Sequence, residues 1–115
     1  MGTMLIGYHA GASDLRGGLR HTLHGGVINE VRINGEVASE TVISAATAAH
    51  FGVPTIMVAG DDAYIEHAKS VPPNVEGVTT KWAISSSCTR TLMPKAGQKL
   101  VAQGVENALA RLDQF

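Results

Sequence analysis

The sequence predicts an α/β fold: a small layered sheet with parallel crossovers and one β-hairpin, helices packed on the sheet. Three observations lead there. Thr55-Ile56-Met57-Val58-Ala59 is a continuous apolar run of the kind a central parallel strand shows. It lies between two segments with helical character, so helix, strand and helix follow one another as in a crossover unit. Asn34-Gly35 stands between alternating residues and is a strong two-residue hairpin signal.

Taken in order, Met4-Leu5-Ile6 is a short buried strand that puts Tyr8 and His9 at its C-terminal end, where open α/β sheets place their ligands. Gly11 to Gly18, with three glycines, Ser13 and Asp14, is too turn-prone for a strand and reads as a loop carrying His21 and His24 back towards His9. Val27 to Ile33 alternates as a strand and enters the hairpin, whose second arm is Glu36 to Ala38. Ser39 is placed to cap a helix running to about His50, with Val42, Ile43, Ala46 and Ala49 on one face and Glu40 in the first turn. Gly52 and Val53-Pro54 stop it.

After the central strand, Gly60-Asp61-Asp62 opens a helix from Ala63 to Ser70, closed by Pro72-Pro73. Val78 to Ile84 alternates as a further strand with Trp82, and Ser85 to Arg90 reads as a polar loop in which Cys88 is a small buried residue. Pro94 suits the first turn of a last helix, along which Ala96, Leu100, Val101, Ala108, Leu109 and Leu112 recur at helical spacing. Three or four strands and three helices fit one domain over residues 1–115, which 44% hydrophobic content can supply with a modest core.

A formal charge of −1 gives no electrostatic case for nucleic acid. The apolar runs fall short of a membrane span, and no signal-like segment opens the chain. With one cysteine, Cys88, the expected setting is the cytoplasm. The five histidines are the compositional oddity.

His9, His21, His24 and Glu40 are the candidates for a metal or acid-base cluster, because neutral imidazoles and a carboxylate are the usual ligands of zinc and similar ions. Each has a plainer reading: a histidine satisfied by backbone groups, or an acid favoured by the helix dipole. Asp61 and Asp62 could hold a cation or a substrate amine, though an N-cap and a first-turn acid are the better reading of them. His50 and His67 read as surface or capping residues. Phosphate-loop, G-x-G-x-x-G and G-x-S-x-G motifs are absent, so neither nucleotide binding nor a serine nucleophile has a motif behind it.

The ordered set Gly7-Tyr8-His9-Ala10, His21-Thr22-Leu23, Ile33-Asn34-Gly35, Glu40, Val53-Pro54, Val58-Ala59-Gly60-Asp61-Asp62 and Leu92-Met93-Pro94-Lys95-Ala96-Gly97 resembles the zinc-dependent D-aminopeptidases of the DppA type. The resemblance implies hydrolysis of N-terminal D-amino acids from short peptides, two zinc ions in the complete family site, and assembly into homo-oligomers. It makes His9 and Glu40 zinc ligands and His21 the catalytic histidine, and leaves the role of His24 open. Family members are longer and begin with a strand bearing an Asp-x-Glu pair and, later, an Asn-Asp-Ser-His segment. Neither precedes His9 here. The chain therefore reads as the central portion of that fold, with one zinc ion or none expected on it alone and the remaining ligands due from a partner chain or missing half. Two rival readings stand beside this one: a non-catalytic binding or oligomerisation module, and a single-metal amidohydrolase using His9, His21 and Glu40.

Overall fold

A computed structural model describes residues 1–71 and 74–115. Its strands and helices are β1 (Thr3–Tyr8), β2 (Arg32–Ile33), β3 (Glu36–Val37), α1 (Glu40–His50), β4 (Thr55–Asp61), α2 (Asp62–Ser70), β5 (Glu76–Ser85), β6 (Cys88–Thr91) and α3 (Pro94–Ala110). The main sheet has the order β1-β4-β5-β6, parallel through β5 and antiparallel at β6, and β2 and β3 form a separate hairpin. The expected α/β architecture is thus present.

β4 is central because every one of its seven residues is buried. Val58 packs with Ala63, Tyr64, Ile65 and Ala68 of α2, whereas Met57 and Ala59 pack with Val78 and Ala108 and with the α3 residues Val101 and Val105. The alternation of strand side chains thus distributes one apolar run between helices on the two faces. α1 lies on the α2 side, where Thr41 Oγ1 donates to Tyr64 Oη at 3.0 Å and Tyr8 Oη lies 3.3 Å from Ser44 Oγ.

Several expectations need correction: in β1 Leu5 is buried but Ile6 is exposed, and on α1 Ala46 and Ala49 are exposed while Thr41 is the buried residue. Val27 to Ile33 is not a strand throughout: the N–H groups of Val27 and Ile28 both donate to the His24 carbonyl, folding that stretch into a turn, and only Arg32–Ile33 pair with β3. The hairpin turn itself is where Asn34-Gly35 put it, with φ of 53° and 88°. Ser85 to Arg90 is not one loop, because Cys88–Thr91 pairs antiparallel with β5 around a tight turn at Ser86-Ser87, and Cys88 is exposed at this edge rather than buried. In α3 the buried face is Val101, Gly104, Val105 and Ala108, while Leu100 and Leu109 point outward. Pro94 does occupy the first turn. The proposed stop at Pro72-Pro73 lies outside the described residues.

At the sequence-predicted caps, Asp61 Oδ1 accepts from the Tyr64 N–H at 2.8 Å and caps α2. Ser39 sits at the N-cap of α1 without a side-chain cap bond, its hydroxyl buried and unpartnered. The carboxylate of Asp62 instead accepts from the Ala83 N–H of β5. No helix among the described residues is long and apolar enough to cross a membrane.

Candidate metal centre

The centre begins with the end of β1. Gly7 has a φ of 82°, and the register with β4 shifts between Ile6 and Tyr8. A Cβ at Gly7 would meet nothing, so the backbone angle is what this position requires. The irregularity shifts the register so that Tyr8 still pairs with Gly60 while its hydroxyl reaches Ser44 of α1, and His9 follows at the sheet's C-terminal edge.

The following loop is tied back to the same edge. Thr22, almost fully buried, accepts from the Ala12 N–H at 3.1 Å, and the His21 N–H donates to the Ala10 carbonyl at 3.2 Å. Leu19 and Leu23 adopt left-handed φ values of 51° and 63°, a conformation that leucine disfavours by about 1 kcal/mol or more. These two residues bracket His21. The hairpin then returns the chain so that α1 opens with Glu40 facing the loop, its Oε1 accepting from the Leu23 N–H at 3.1 Å.

These three segments bring one ligand atom each from His9, His21 and Glu40 within 4.8 Å of one another, all three side chains half-buried. His9 Nε2 lies 3.5 Å from Glu40 Oε2, and the His9 and His21 rings stack with centroids 3.8 Å apart. His9 Nδ1 is 3.2 Å from the Ala10 carbonyl and His21 Nδ1 is 2.8 Å from the Leu19 carbonyl. Since a carbonyl oxygen only accepts, each Nδ1 carries the proton, and in the neutral ring Nε2 keeps its lone pair. Both histidines are therefore held in the tautomer that ligates or accepts a proton through Nε2, and the Glu40 oxygen nearest His9 remains available. Two such imidazoles and a carboxylate are a donor set that suits zinc.

Of the other sequence candidates, His24 is exposed on the loop, and Asp61 and Asp62 are used as the α2 cap and the β5 contact. None of them joins the cluster among the described residues. Sequence reasoning missed the backbone carbonyls of Ala10 and Leu19 and the N–H of Leu23, which no residue type could have signalled.

An α/β sheet with histidines and a carboxylate gathered at the C-terminal end of one strand has the layout of a metal-centre protein. The comparisons are more specific: residues 1–115 match the D-aminopeptidase family, and the chain belongs to it. It is 34% identical to the D-aminopeptidase of Bacillus subtilis (strain 168) over 113 residues, 98% of this chain and 40% of that protein. Among solved structures it resembles the Zn-dependent D-aminopeptidase DppA from Bacillus subtilis, described as a self-compartmentalizing protease. The TM-score is 0.92 at 30% identity, over 97% of this chain and 40% of DppA. The chain thus spans 40% of the length of these relatives.

Proposed function

We propose that this chain, a single α/β domain, provides the His9, His21 and Glu40 part of a zinc-dependent aminopeptidase acting on short peptides with N-terminal D-amino acids. The observation that carries this reading is the convergence of those three side chains in a chain of the D-aminopeptidase family. His9 through Nε2 and Glu40 through its carboxylate would hold a zinc ion. When bound, zinc polarises a carbonyl and lowers the pKa of water. His21, with Nε2 unprotonated and its ring fixed by the Leu19 carbonyl, accepts a proton from the attacking water and later returns it to the leaving amine. The Leu23 N–H holds Glu40 in place, and the stacked His9 ring limits the rotation of His21.

A second reading has a specific observation behind it: His21 lies close enough to both other donors to be a third ligand of one ion. Zinc content of the purified protein separates the two. Zinc that is lost in His9→Ala and Glu40→Gln but kept in an inactive His21→Ala variant supports the catalytic assignment. Zinc lost from His21→Ala supports the single-metal reading. Zinc binding by none of the proteins removes both and favours a non-catalytic module.

Homo-oligomeric assembly and a cytoplasmic setting complete the proposal. An apolar cleft of about 370 Å³, lined by Val42, Ala45, Ala49, Val71 and Phe115 among others, lies at the opposite end of β4 from His9 and offers a surface for association. The exposed Cys88 thiol suits a reducing compartment.

A further inference from the structure

The loop carrying His21 also carries a cation that has no ion-pair or ring partner among the described residues. The chain has five arginines. Among the described residues, Arg16, Arg32 and Arg111 pair with carboxylates, and Arg90 lies over the Trp82 ring. Arg20, immediately before His21, has neither kind of contact. Holding an arginine beside a reactive centre without a counter-charge contributes nothing to the fold through ion pairing, so its charge is available to something that binds there.

Two cavities meet at this residue. The first, about 410 Å³ and open to solvent, is walled by Arg20, His21, Leu23 and His24. The second, about 220 Å³, is walled by Arg20, Asn29 and Ser86 with Ala12 and Ile28. Leu19, Arg20 and Gly25 belong to both. Asn29 and Ser86 are exposed and Arg20 is partly buried, and among the described residues none of the three side chains is engaged by another side chain. The smaller cavity therefore gathers a planar cation, an amide and a hydroxyl, each with donors to spare, next to the histidine assigned to catalysis.

A carboxylate is the group this set recognises best. The guanidinium fork matches its two oxygens, and the amide and hydroxyl can donate to the remaining lone pairs. In a short peptide whose scissile bond lies at His21, the C-terminus is the one carboxylate that every such substrate carries, whatever its side chains. We propose that Arg20, with Asn29 and Ser86, receives the C-terminal carboxylate of the substrate peptide, so that a peptide with a free C-terminus is bound in preference to its C-terminal amide. The proposal rests on the aminopeptidase reading above.

The test uses D-alanylglycylglycine and its C-terminal amide, with binding measured by calorimetry and turnover measured in parallel on zinc-loaded protein. The acid should bind about tenfold to a hundredfold more tightly than the amide, the discrimination a charge-assisted hydrogen-bond pair provides. Arg20→Ala should bring the ratio close to one through KM for the acid, with kcat changed far less; Arg20→Lys should restore part of the preference. Lys99→Ala, on the exposed side of α3, should keep the full ratio. A wild-type ratio near one, a preference that survives in Arg20→Ala, or binding of neither peptide overturns the proposal. Preferential binding of the acid through Arg20 without turnover of either peptide supports the carboxylate site and removes the hydrolase reading. Turnover of both without preference does the reverse.

Discussion

Thr41 and Tyr64 provide the sharpest test of how α1 is held against α2. Both are fully buried, and the Thr41 hydroxyl donates to the Tyr64 hydroxyl at 3.0 Å. Thr41→Val preserves shape and β-branching while deleting the donor; Tyr64→Phe deletes the acceptor. Either change alone leaves a buried hydroxyl without that partner, at a cost of about 1–3 kcal/mol, whereas replacing both groups removes the unsatisfied atom and is nearly neutral by comparison. With a urea m-value of about 1–3 kcal/mol per molar for a small protein, each single variant should lower the unfolding midpoint by roughly 1 M. The double variant should lie closer to the wild type than either single variant, not at the sum. Thr41 directly follows Glu40, so Thr41→Val should also weaken zinc binding, about tenfold if the bond acts as an outer-shell support. Additive stability losses within about 0.5 kcal/mol would refute the coupling. Zinc affinity unchanged in a destabilised Thr41→Val protein would show that the bond supports the fold without supporting the centre.

Two further outcomes follow from the same packing. Burial pushes the Tyr64 phenol up to about 12, against the opposing hydrogen bond from Thr41, so the folded value lies above the unfolded value of about 10. The stability this contributes is complete below pH 10 and is lost as pH rises from 10 to 12, amounting to about 3 kcal/mol. Urea midpoints of the wild type should fall relative to Tyr64→Phe across that window, and parallel profiles would contradict the assignment. At Gly60 an added Cβ would run into the Tyr8 carbonyl oxygen and the Tyr64 ring, whereas at Gly97 in α3 it would meet nothing. Gly60→Ala should therefore destabilise by about 1–3 kcal/mol and Gly97→Ala stabilise by about 0.5–1 kcal/mol, both read from thermal denaturation.

The parts of the fold legible in the sequence were those where a local rule and the tertiary environment agree. The β4 run is apolar because both its faces are covered, Asn34-Gly35 supplies the two positive φ angles of its turn, and Asp61 is the cap its position suggested. Where they disagreed, the pattern misled. Val27 to Ile33 alternates, but two N–H groups drawn to one carbonyl turn the chain before a strand can form. Cys88 to Thr91 looked like loop because an exposed edge strand needs no apolar face. For the centre, residue types and resemblance pointed to His9, His21 and Glu40. Their convergence could not be read from spacing, since 31 positions separate the first from the last and the approach depends on Gly7, Leu19 and Leu23 taking positive φ.

Those backbone angles bear on how the centre is prepared. Each of the three side chains is fixed by a main-chain group from the β1 end or the loop: His9 by the Ala10 carbonyl, His21 by the Leu19 carbonyl, and Glu40 by the Leu23 N–H. Two of those three anchors belong to leucines in a conformation leucine resists, and both leucine side chains are exposed, so neither recovers the cost by packing into the core. The loop's other fastenings, from buried Thr22 to the Ala12 N–H and from the His21 N–H to the Ala10 carbonyl, offset that cost. The fold therefore holds strain next to His21 while setting ring tautomers and carboxylate orientation in advance. A metal ion arriving there would need to displace little, and the entropy of ordering its ligands is already met by the folding of the loop.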